Sequence, residues 1–371
     1  MNRRWICGDV WMDILPSFDH AQLGLKMALI SDRFDILVDA HFDGKSELTI
    51  WREIKIRKDK GPKQKMSVMI DGKFVDFPLP DRPLPNKICF KDLWIHYIDY
   101  SVIEFLRSNK HIWDRMGTKL TLAVWSYENE GVQPIWDVLA SEIWPIFATN
   151  IRHLRLAESD HLDKLRRRIS LTILTDLDHL NSIDSGHLCP DGIADFDGPN
   201  ASAGQVLSKW LHTPSKNGQP KRLFFKNYDA EVEKEVNLDW VNSFKEAFLR
   251  ATASSVSYKI DFEVPKTAIE PFELVNERTK EKLTLLAFEE DVEEDSDDEY
   301  IKWLLKRCPI SEKAVIQWEN DENWDNNLNN VQFILWSGGI NLIGPLSPPT
   351  DEKEKEADQS IEMSSDCAEM N

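Results

Sequence analysis

Histidine and cysteine are the residues in this sequence best suited to bind a metal or to supply a nucleophile and base, and their spacing supports neither role. The nine histidines form no HExxH, and the five cysteines form no CxxC and no Cys-His cluster at zinc spacing. His153, His161, His179 and His187 are separated by eight, eighteen and eight residues. In a repeating fold this spacing places them on different units, so we expect surface or capping roles for them.

Phosphate, calcium and hydrolase sites fail similar tests. The only paired glycines precede neither a lysine nor a helix start, and no GxSxG elbow occurs. The acidic run 289–299 would form a calcium loop only with Gly at its sixth position and Glu at its twelfth. Counted from Asp291, those positions hold Ser296 and Lys302. The sequence therefore predicts no catalytic residue, no cofactor and no metal, and we do not expect an enzyme.

Charge is distributed unevenly along the 371 residues. The formal net charge is −19, from 45 basic and 64 acidic residues. The run 289–299 holds nine acidic and no basic residues, and 346–371 holds eight acidic and two basic, which leaves −4 for the rest. We interpret the two segments as a solvated loop and a disordered tail, with solubility or the steering of basic partners as alternative roles for the loop. Neither nucleic acid nor an anionic membrane is an expected partner.

The cysteines and the amino terminus bear on the compartment. An odd number of widely spaced cysteines suits a reducing environment better than a disulfide framework. Asp9 and Asp13 interrupt any apolar stretch near the amino terminus, and no run of eighteen apolar residues occurs. Neither a secretory signal nor a membrane span is predicted, and we expect a protein of the cytoplasm or nucleus.

Residues 5–42 have the periodicity of short helices. Val10, Ile14 and Phe18 recur at four-residue spacing, with Trp11 beside them. Two more apolar stretches follow at helical spacing, so the segment predicts three helices. A chain under about 40 residues buries too little apolar surface to fold alone. Part of this surface is therefore expected to face a partner or the next domain.

Strand signals follow from about residue 46. The predicted strands are 48–51, 54–56, 66–70 and 74–77. The last two flank Asp71-Gly72, a strong hairpin signal, and the prolines after them predict an extended connector. Six basic residues between positions 55 and 65 lie here without interleaved aromatics, which favours a solvated strand face over a phosphate site.

Beyond the connector, single strands alternate with amphipathic helices. The predicted strands are 88–95, 120–124, 151–156, 180–183, 222–225 and 258–264. Their centres are about 28–42 residues apart, which is typical of an irregular α/β solenoid with one strand and one helix per unit. A late hairpin is predicted at 272–276 and 282–288.

Capping boxes and apolar ridges support the helices of this region. The predicted boxes are Ser101 with Glu104, Ser202 with Gln205 and Ser296 with Glu299. Ridges at four-residue spacing indicate helices at 135–147 and 240–248. Six tryptophans recur about once per unit: Trp113, Trp136, Trp144, Trp210, Trp240 and Trp303. They favour core residues that point at the strands, and a row of binding aromatics is the alternative.

The opening helical segment resembles an F-box. In the family pattern a leucine and proline precede an acid, two aliphatics, a second acid, isoleucine, leucine and a final leucine. The corresponding residues here are Ile6, Asp9, Val10, Trp11, Asp13, Ile14, Leu15 and Phe18, followed by Asp19 and Leu23 in the next turn and helix, and by 30–34, Leu37 and Val38 in the closing helix. Cys7 replaces the usual proline and Phe34 the usual tryptophan.

Because an F-box is often followed by leucine-rich-repeat-like units, the whole chain resembles the nematode-type F-box proteins. The resemblance implies an α/β fold in which an N-terminal three-helix F-box-like block precedes an irregular leucine-rich-repeat-like solenoid. The predicted parts are the block (1–45), the β-hairpin and proline-rich connector (46–87), the substrate-binding repeat domain (88–345) and the acidic tail (346–371).

The function implied by this resemblance is substrate recognition for an SCF-type cullin-RING ubiquitin ligase. F-boxes bind a Skp-type adaptor on the cullin scaffold, while the downstream domain holds a protein substrate, whose identity the sequence does not disclose. The resemblance implies that the adaptor-binding residues are Ile6, Val10, Trp11, Ile14, Leu15, Phe18, Leu23 and Phe34. Each of these residues either builds the helical block or contacts the adaptor.

A free-standing protein-binding solenoid without a ligase role is the alternative hypothesis. In that case the helical block caps the first repeat, as terminal units often do. An enzyme, the third class, would need a cleft with converging polar groups.

Overall fold

A computed structural model of the chain describes residues 6–44, 49–58, 64–70, 72–85, 87–125, 132–192, 198–216, 218–226, 238–252, 256–265, 268–288, 300–310, 328–336 and 339. These residues form a mixed α/β fold around a thirteen-stranded sheet. The predicted solvated loop 289–299 and disordered tail 346–371 lie outside the described residues. No described helix is long and apolar enough to cross a bilayer.

Three helical segments occupy the amino-terminal region. They are α1 (Gly8–Ile14), α2 (His20–Gln22), which continues as a π-helical turn at Leu23–Met27 and a 3-10 turn at Ala28–Ile30, and α3 (Asp32–Asp43). The Asp19 carboxylate accepts from the Ala21 N–H at 2.8 Å, and the Ser31 hydroxyl accepts from the Phe34 N–H at 3.4 Å. These side chains satisfy backbone donors that the first helical turn leaves open, so local sequence determines where α2 and α3 begin.

The strands form two sheets. A small parallel sheet pairs β1 (Thr49–Trp51) with β5 (Ile88–Phe90). The strands of the large sheet are β2 (Ile54–Lys58), β3 (Gln64–Ile70), β4 (Lys73–Pro78), β6 (Asp92–Ile95), β7 (Thr118–Trp125), β8 (Ile151–Leu156), β9 (Ser182–Asp184), β10 (Lys221–Lys226), β11 (Tyr258–Pro265), β12 (Phe272–Asn276), β13 (Glu281–Phe288), β14 (Tyr300–Pro309) and β15 (Asn329–Trp336).

Eight neighbouring strands in the large sheet are parallel, in the order β11-β10-β9-β8-β7-β15-β6-β2. Antiparallel strands extend both ends, with β14, β13 and β12 at one end and β3 and β4 at the other. Both predicted hairpins are therefore present. Strands of the predicted connector and of the predicted repeat region belong to this one sheet.

Helices cover one face of the large sheet. They are α4 (Tyr100–Ser108), α5 (Lys110–Met116), α6 (Val132–Val138), α7 (Trp144–Phe147), α8 (His161–Arg168), α9 (Ile173–Asp176), α10 (Ala203–His212) and α11 (Asp239–Arg250). A π-helical turn at Leu139–Ile143 joins α6 to α7. Trp240 on α11 packs against Phe225 and Phe262, with ring centroids 5.8 and 5.2 Å away. All six tryptophans named above are buried, as their core interpretation predicts.

The opposite side chains of the same strands point away from the helices. Along β10, β11 and β15, fully buried residues alternate with partly buried or exposed ones. This period of two is the mark of a sheet with one apolar face and one face that meets water. We call the second surface the open face.

The position of β15 was not predicted. It lies between β6 and β7, with Gln332 opposite Trp94 on one side and Thr121 on the other. A solenoid of successive units would have placed β7 directly beside β6. Three residues of β15, Val331, Phe333 and Leu335, are completely buried against the helix layer.

The predicted capping box of Ser101 and Glu104 is wrong, and the box of Ser296 and Glu299 lies outside the described residues. The α4 helix is capped by Asp99, whose carboxylate accepts from the Val102 N–H at 3.1 Å, and Ser101 donates to that carboxylate. Residues 300–309 form β14 between β11 and β13 rather than a helix. Short apolar runs fit either a helix or a buried strand. This run is a strand because it pairs with a neighbouring strand on each side. The box of Ser202 and Gln205 is confirmed.

The predicted repeat strands coincide closely with observed ones, with two adjustments. The run 88–95 is split into β5 and β6, which belong to different sheets. The strand predicted at 180–183 is β9, and it begins at Ser182.

The packing of β15 gives a stability prediction. Phe333→Ala should lower the free energy of unfolding by about 3–5 kcal/mol, because a large buried side chain is lost from the helix-facing layer. Ile334→Ala is the matched control, since its side chain lies on the open face and is partly exposed. Urea denaturation measures both. Equal losses for the two variants would show that β15 does not have its apolar side against the helices.

Candidate protein-interaction site

The eight residues predicted to contact an adaptor occupy three different environments. Leu15 and Leu23 are completely buried and build the helical block. Trp11, Phe18 and Phe34 are partly buried. The exposed members are Ile6, Val10 and Ile14, at 48%, 47% and 36% of their full accessible surface. The structure thus separates residues that form the core from residues that a partner can reach.

The α1 helix lies on the surface of the block and buries none of its residues fully. The Trp11 and Phe34 rings meet edge to face, with centroids 4.8 Å apart. Arg33 donates a hydrogen bond to the Ile6 carbonyl. These contacts hold one side of α1 against α3. Val10 and Ile14, one turn apart, form an apolar strip on the exposed part of α1, and Ile6 continues it beyond the helix start.

Few local interactions stabilise the start of α1. Cys7 occupies the cap position and its side chain makes no hydrogen bond to a backbone N–H of the helix. Cysteine here stands where the F-box pattern has proline. A proline would restrict the backbone at this end without losing a needed donor. The orientation of α1 consequently depends on its contacts with α3.

The helical block is attached to the rest of the protein. Arg82 forms an ion pair with Asp35 at 2.6 Å and donates to the Ala28 carbonyl at 2.9 Å. The Lys26 ammonium lies 5.0 Å from the centre of the Phe77 ring. Gly24 permits close approach, because a Cβ at this position would lie 3.2 Å from the Trp51 ring. The block therefore rests on residues from both sheets and on the connector.

Exposed apolar residues are concentrated in this block. Thirteen large apolar side chains are exposed within the described ranges, and five of them lie in residues 6–44: Ile6, Val10, Ile14, Ile30 and Ile36. Single exposed apolar residues are ordinary, whereas a concentration of them marks an interaction surface. Ile30 and Ile36 were not among the predicted contact residues. The sequence does carry a signal for these two residues: the helical segment has more apolar positions than a single core-facing stripe requires.

The described side chains hold no cluster suited to bind a metal. No three His, Cys, Asp or Glu residues in these ranges converge as metal ligands. A cavity of about 300 Å³ lies beside α9 and includes Asp176 in its wall. The Asp176 carboxylate accepts from Ser170 at 2.8 Å and from Thr172 at 3.0 Å. These hydroxyls thus stabilise the turn that begins α9.

Lys221 is a buried lysine next to a second cavity, of about 200 Å³. Burial lowers the pKa of Lys221 to about 7. Its ammonium donates to the carbonyls of Thr213 and Trp210, at the carboxyl end of α10. Two carbonyl acceptors and the negative end of a helix favour the charged form, which opposes the effect of burial. We assign Lys221 to capping α10.

His161 is a structural histidine that joins β7 to α8. Nε2 lies 3.2 Å from the Val124 carbonyl oxygen, and the Glu158 N–H points at Nδ1 from 3.4 Å. A neutral imidazole carries one N–H, so it donates either from Nε2 to Val124 or from Nδ1 to the Leu122 carbonyl oxygen, which lies 3.3 Å away. Burial lowers the pKa of His161 to about 4.

His212 and His153 are also buried, and they differ in their partners. His212 donates from Nδ1 to the Ser208 carbonyl at 2.8 Å, and burial lowers its pKa to about 4. His153 lies on β8 with no hydrogen-bond partner at either ring nitrogen. Burial, with Lys119 and Arg155 nearby, lowers its pKa to about 3. His179 and His187 lie between strands, and His187 contacts the Lys226 carbonyl at 3.1 Å.

His161 makes stability depend on pH with a defined sign. Between pH 6.5 and about 4 the unfolded chain binds a proton here that the folded chain does not, so stability falls as the pH is lowered. His161→Gln removes this titration. The loss of unfolding free energy between pH 6.5 and 5 should shrink by about 1.5 kcal/mol, whatever the variant costs at neutral pH. Urea denaturation at several pH values measures the slope.

The matched control for this experiment is Leu162→Ala, because Leu162 is buried next to His161 on α8 and carries no titrating group. Its slope should equal that of the unchanged protein. An unchanged slope for His161→Gln would mean that His161 titrates alike in the folded and unfolded chains.

Comparison with known proteins adds no relative to these observations. No family model, no curated protein and no solved structure matches this chain. The candidate site therefore rests on the geometry of its own residues: a surface helix with an exposed apolar strip, beside a sheet with an open polar face.

Proposed function

We propose that this chain is a substrate-recognition adaptor of an SCF-type cullin-RING ubiquitin ligase. Its N-terminal block acts as a three-helix F-box-like domain that binds a Skp-type adaptor. The strand and helix region acts as an irregular leucine-rich-repeat-like domain that holds a protein substrate. On this proposal the protein works in the cytoplasm or nucleus.

The observation that carries the proposal is the apolar strip of Ile6, Val10 and Ile14. A helix on the surface of a domain that needs no partner normally presents polar residues to the solvent. Here three aliphatic side chains in the F-box-like positions remain exposed, while Leu15 and Leu23 fill the interior. Binding that buries such side chains gains about 25 cal/mol per Å² before the costs of association are subtracted.

The proposed contribution to ubiquitin transfer is proximity. A scaffold that holds a substrate near the charged conjugating enzyme raises the effective concentration of the substrate's lysines. No catalytic side chain, cofactor or metal of this chain takes part. The cullin scaffold is contacted through the adaptor.

A free-standing protein-binding domain is the second candidate, and the attachment of the block favours it. Arg82 fastens the block through Asp35 and Ala28, and the block lies over the residues of the small sheet. A terminal cap needs such contacts to shield the first apolar units of a repeating fold. Adaptor binding distinguishes the two functions, because a cap alone has no need of an exposed apolar strip.

The adaptor proposal predicts the effect of a charge on α1. Val10→Asp should abolish retention of the full-length chain on immobilised, purified Skp adaptor, because a carboxylate would be buried in an apolar interface without a partner. Val10 is exposed, so the variant should remain folded; a charge at the buried Leu15 would instead disrupt the block.

Leu249→Asp is the matched control. Leu249 lies on α11 and is 50% exposed, close to the 47% of Val10. Retention should be unchanged in this variant, and circular dichroism should show all three proteins folded. If the folded, unchanged chain is not retained by the adaptor, the ligase role is wrong. If Val10→Asp is retained as well as the control, the contact lies on another face.

A further inference from the structure

The open face of the large sheet carries a row of six residues, four of which are Lys or Arg. Hydrogen-bonded register places six residues side by side on successive strands β7, β8, β9, β10, β11 and β14. They are Lys119, His153, Ser182, Arg222, Lys259 and Lys306. We call these six residues the basic row. It contains no acidic residue, although the chain as a whole has a formal net charge of −19.

Acidic residues on the open face lie outside these six positions. On the same line of the register, Asp92 and Glu273 lie two strands beyond the two ends of the basic row. Asp184 and Asp261 occupy the next row of the register and Glu263 the one beyond it. Arg155 pairs with Asp184 at 3.1 Å, and Lys226 lies 3.8 Å from Glu263. The remaining rows therefore mix both signs, and the positive charge of the open face is greatest along the basic row.

His153 provides a second observation that points to an anion. It is 9% exposed, and neither of its ring nitrogens has a hydrogen-bond partner. Leaving a buried donor without an acceptor is costly, so such groups commonly mark a place where a ligand or water binds. Its neighbours in the register are Lys119 and Ser182, both potential donors to an oxyanion. The long stem of Lys119 can rotate to admit one.

Apolar side chains lie beside the basic row. Phe224 is partly exposed and Leu286 is 45% exposed, and both belong to the row that contains Asp184 and Asp261. Leu304 stands between them on β14, next to Leu286 in the register. A ligand that spans two rows thus meets cations along one side, and along the other it meets apolar side chains that alternate with Asp184 and Asp261.

We propose that the open face binds an extended acidic peptide segment of a partner protein along the basic row. Neighbouring strands are about 4.8 Å apart, so Arg222 and Lys259 lie about 14 and 19 Å from Lys119 along the row. Alternate residues of an extended peptide are about 6.7 Å apart, and the fifth and seventh residues lie about 13 and 20 Å from the first. Acidic side chains at these three positions match three of the row's four cations, Lys119, Arg222 and Lys259.

Nucleic acid fits this surface less well than a peptide does. A phosphate backbone would bring its charges against Asp184, Asp261 and Glu263 as well as against the basic row. A peptide can place acids over the basic row and apolar residues over Phe224 and Leu286. Naming the peptide as a ubiquitination substrate rests on the proposed function, whereas the binding itself does not.

Fluorescence anisotropy with the full-length chain tests the inference. The probe is a fluorescein-labelled twelve-residue peptide in which Glu alternates with Leu and Ser, and the same peptide with Lys in place of Glu is its control. The Glu peptide should bind at least tenfold more tightly than the Lys peptide, and its affinity should fall as salt is raised. Equal binding of the two peptides, or tighter binding of a single-stranded oligonucleotide of equal charge, would overturn the proposal.

Variants locate the site on the open face. Arg222→Glu with Lys259→Glu should weaken binding of the Glu peptide at least tenfold. Lys110→Glu with Arg250→Glu changes the net charge equally on the helix layer, at side chains that are 43% and 80% exposed, and should leave affinity within twofold. If the first pair fails to fold by circular dichroism, Arg222→Gln with Lys259→Gln replaces it, with a loss of at least threefold expected. Equal losses of affinity for the Glu peptide in the basic-row variants and the helix-layer variants would refute the site.

Adaptor retention measured on the same proteins separates this inference from the proposed function. The basic-row variants should still be retained by the Skp adaptor, and Val10→Asp should still bind the Glu peptide. Peptide binding without adaptor retention would leave the open-face site standing and remove the ligase role. Adaptor retention without peptide binding would leave the ligase role standing and remove the open-face site.

Discussion

The structure depends on burying one face, and one face alone, of a single large sheet. Each strand that runs beneath the helices presents apolar side chains at alternate positions, and a shift of one residue would expose the whole apolar set to water. Phe225, Phe262 and Phe333 all lie in that buried register. On β10, β11 and β15 the same constraint leaves the other half of each strand at least partly exposed, with fewer packing demands. Both interaction surfaces that we propose lie where core packing does not determine which residue types are present.

Several polar groups in the buried layer at one end of the sheet are held by specific partners. Arg307 and Glu281 form a buried ion pair between β14 and β13, at 2.6 Å. The Asn276 side chain donates to the carbonyls of Phe248 and Ala251 at the end of α11 and accepts from the Thr279 N–H. These bonds connect the hairpin at one end of the sheet to its last helix. Removing one member would leave a buried charge or donor unpaired, which is why such groups are costly to change.

Local sequence was sufficient for elements whose neighbours along the chain are also their neighbours in space. The hairpin at Gly72, the cap at Ser202 and the ridge on α11 were all predictable, because turn chemistry, capping and periodicity act over a few residues. The candidate site was predictable in composition but not in geometry. Periodicity grouped Val10, Ile14 and Leu15, yet the burial of Leu15 and the exposure of Val10 depend on how α1 lies against α3.

Features set by distant pairing could not be predicted. Residues 300–309 form a strand because β11 and β13 supply partners on both sides, and no local pattern encodes those partners. The basic row is a similar case. Lys119, Arg222 and Lys259 are more than thirty residues apart from one another in sequence, and only the strand register brings them into line. The alternation of polar residues within β10 and β11 was visible, but not the alignment of one strand with the next.

The central place of β15 also has a consequence for biosynthesis. Asn330 pairs with Asp92 across a separation of 238 residues. At roughly 5–20 residues per second, a ribosome needs about ten to fifty seconds to make the intervening chain. During that interval β6 and β7 have no partner between them, so a nascent chain offers two unpaired strand edges to other molecules. Unpaired edges favour aggregation, so the yield of folded protein in cells should be sensitive to the supply of chaperones.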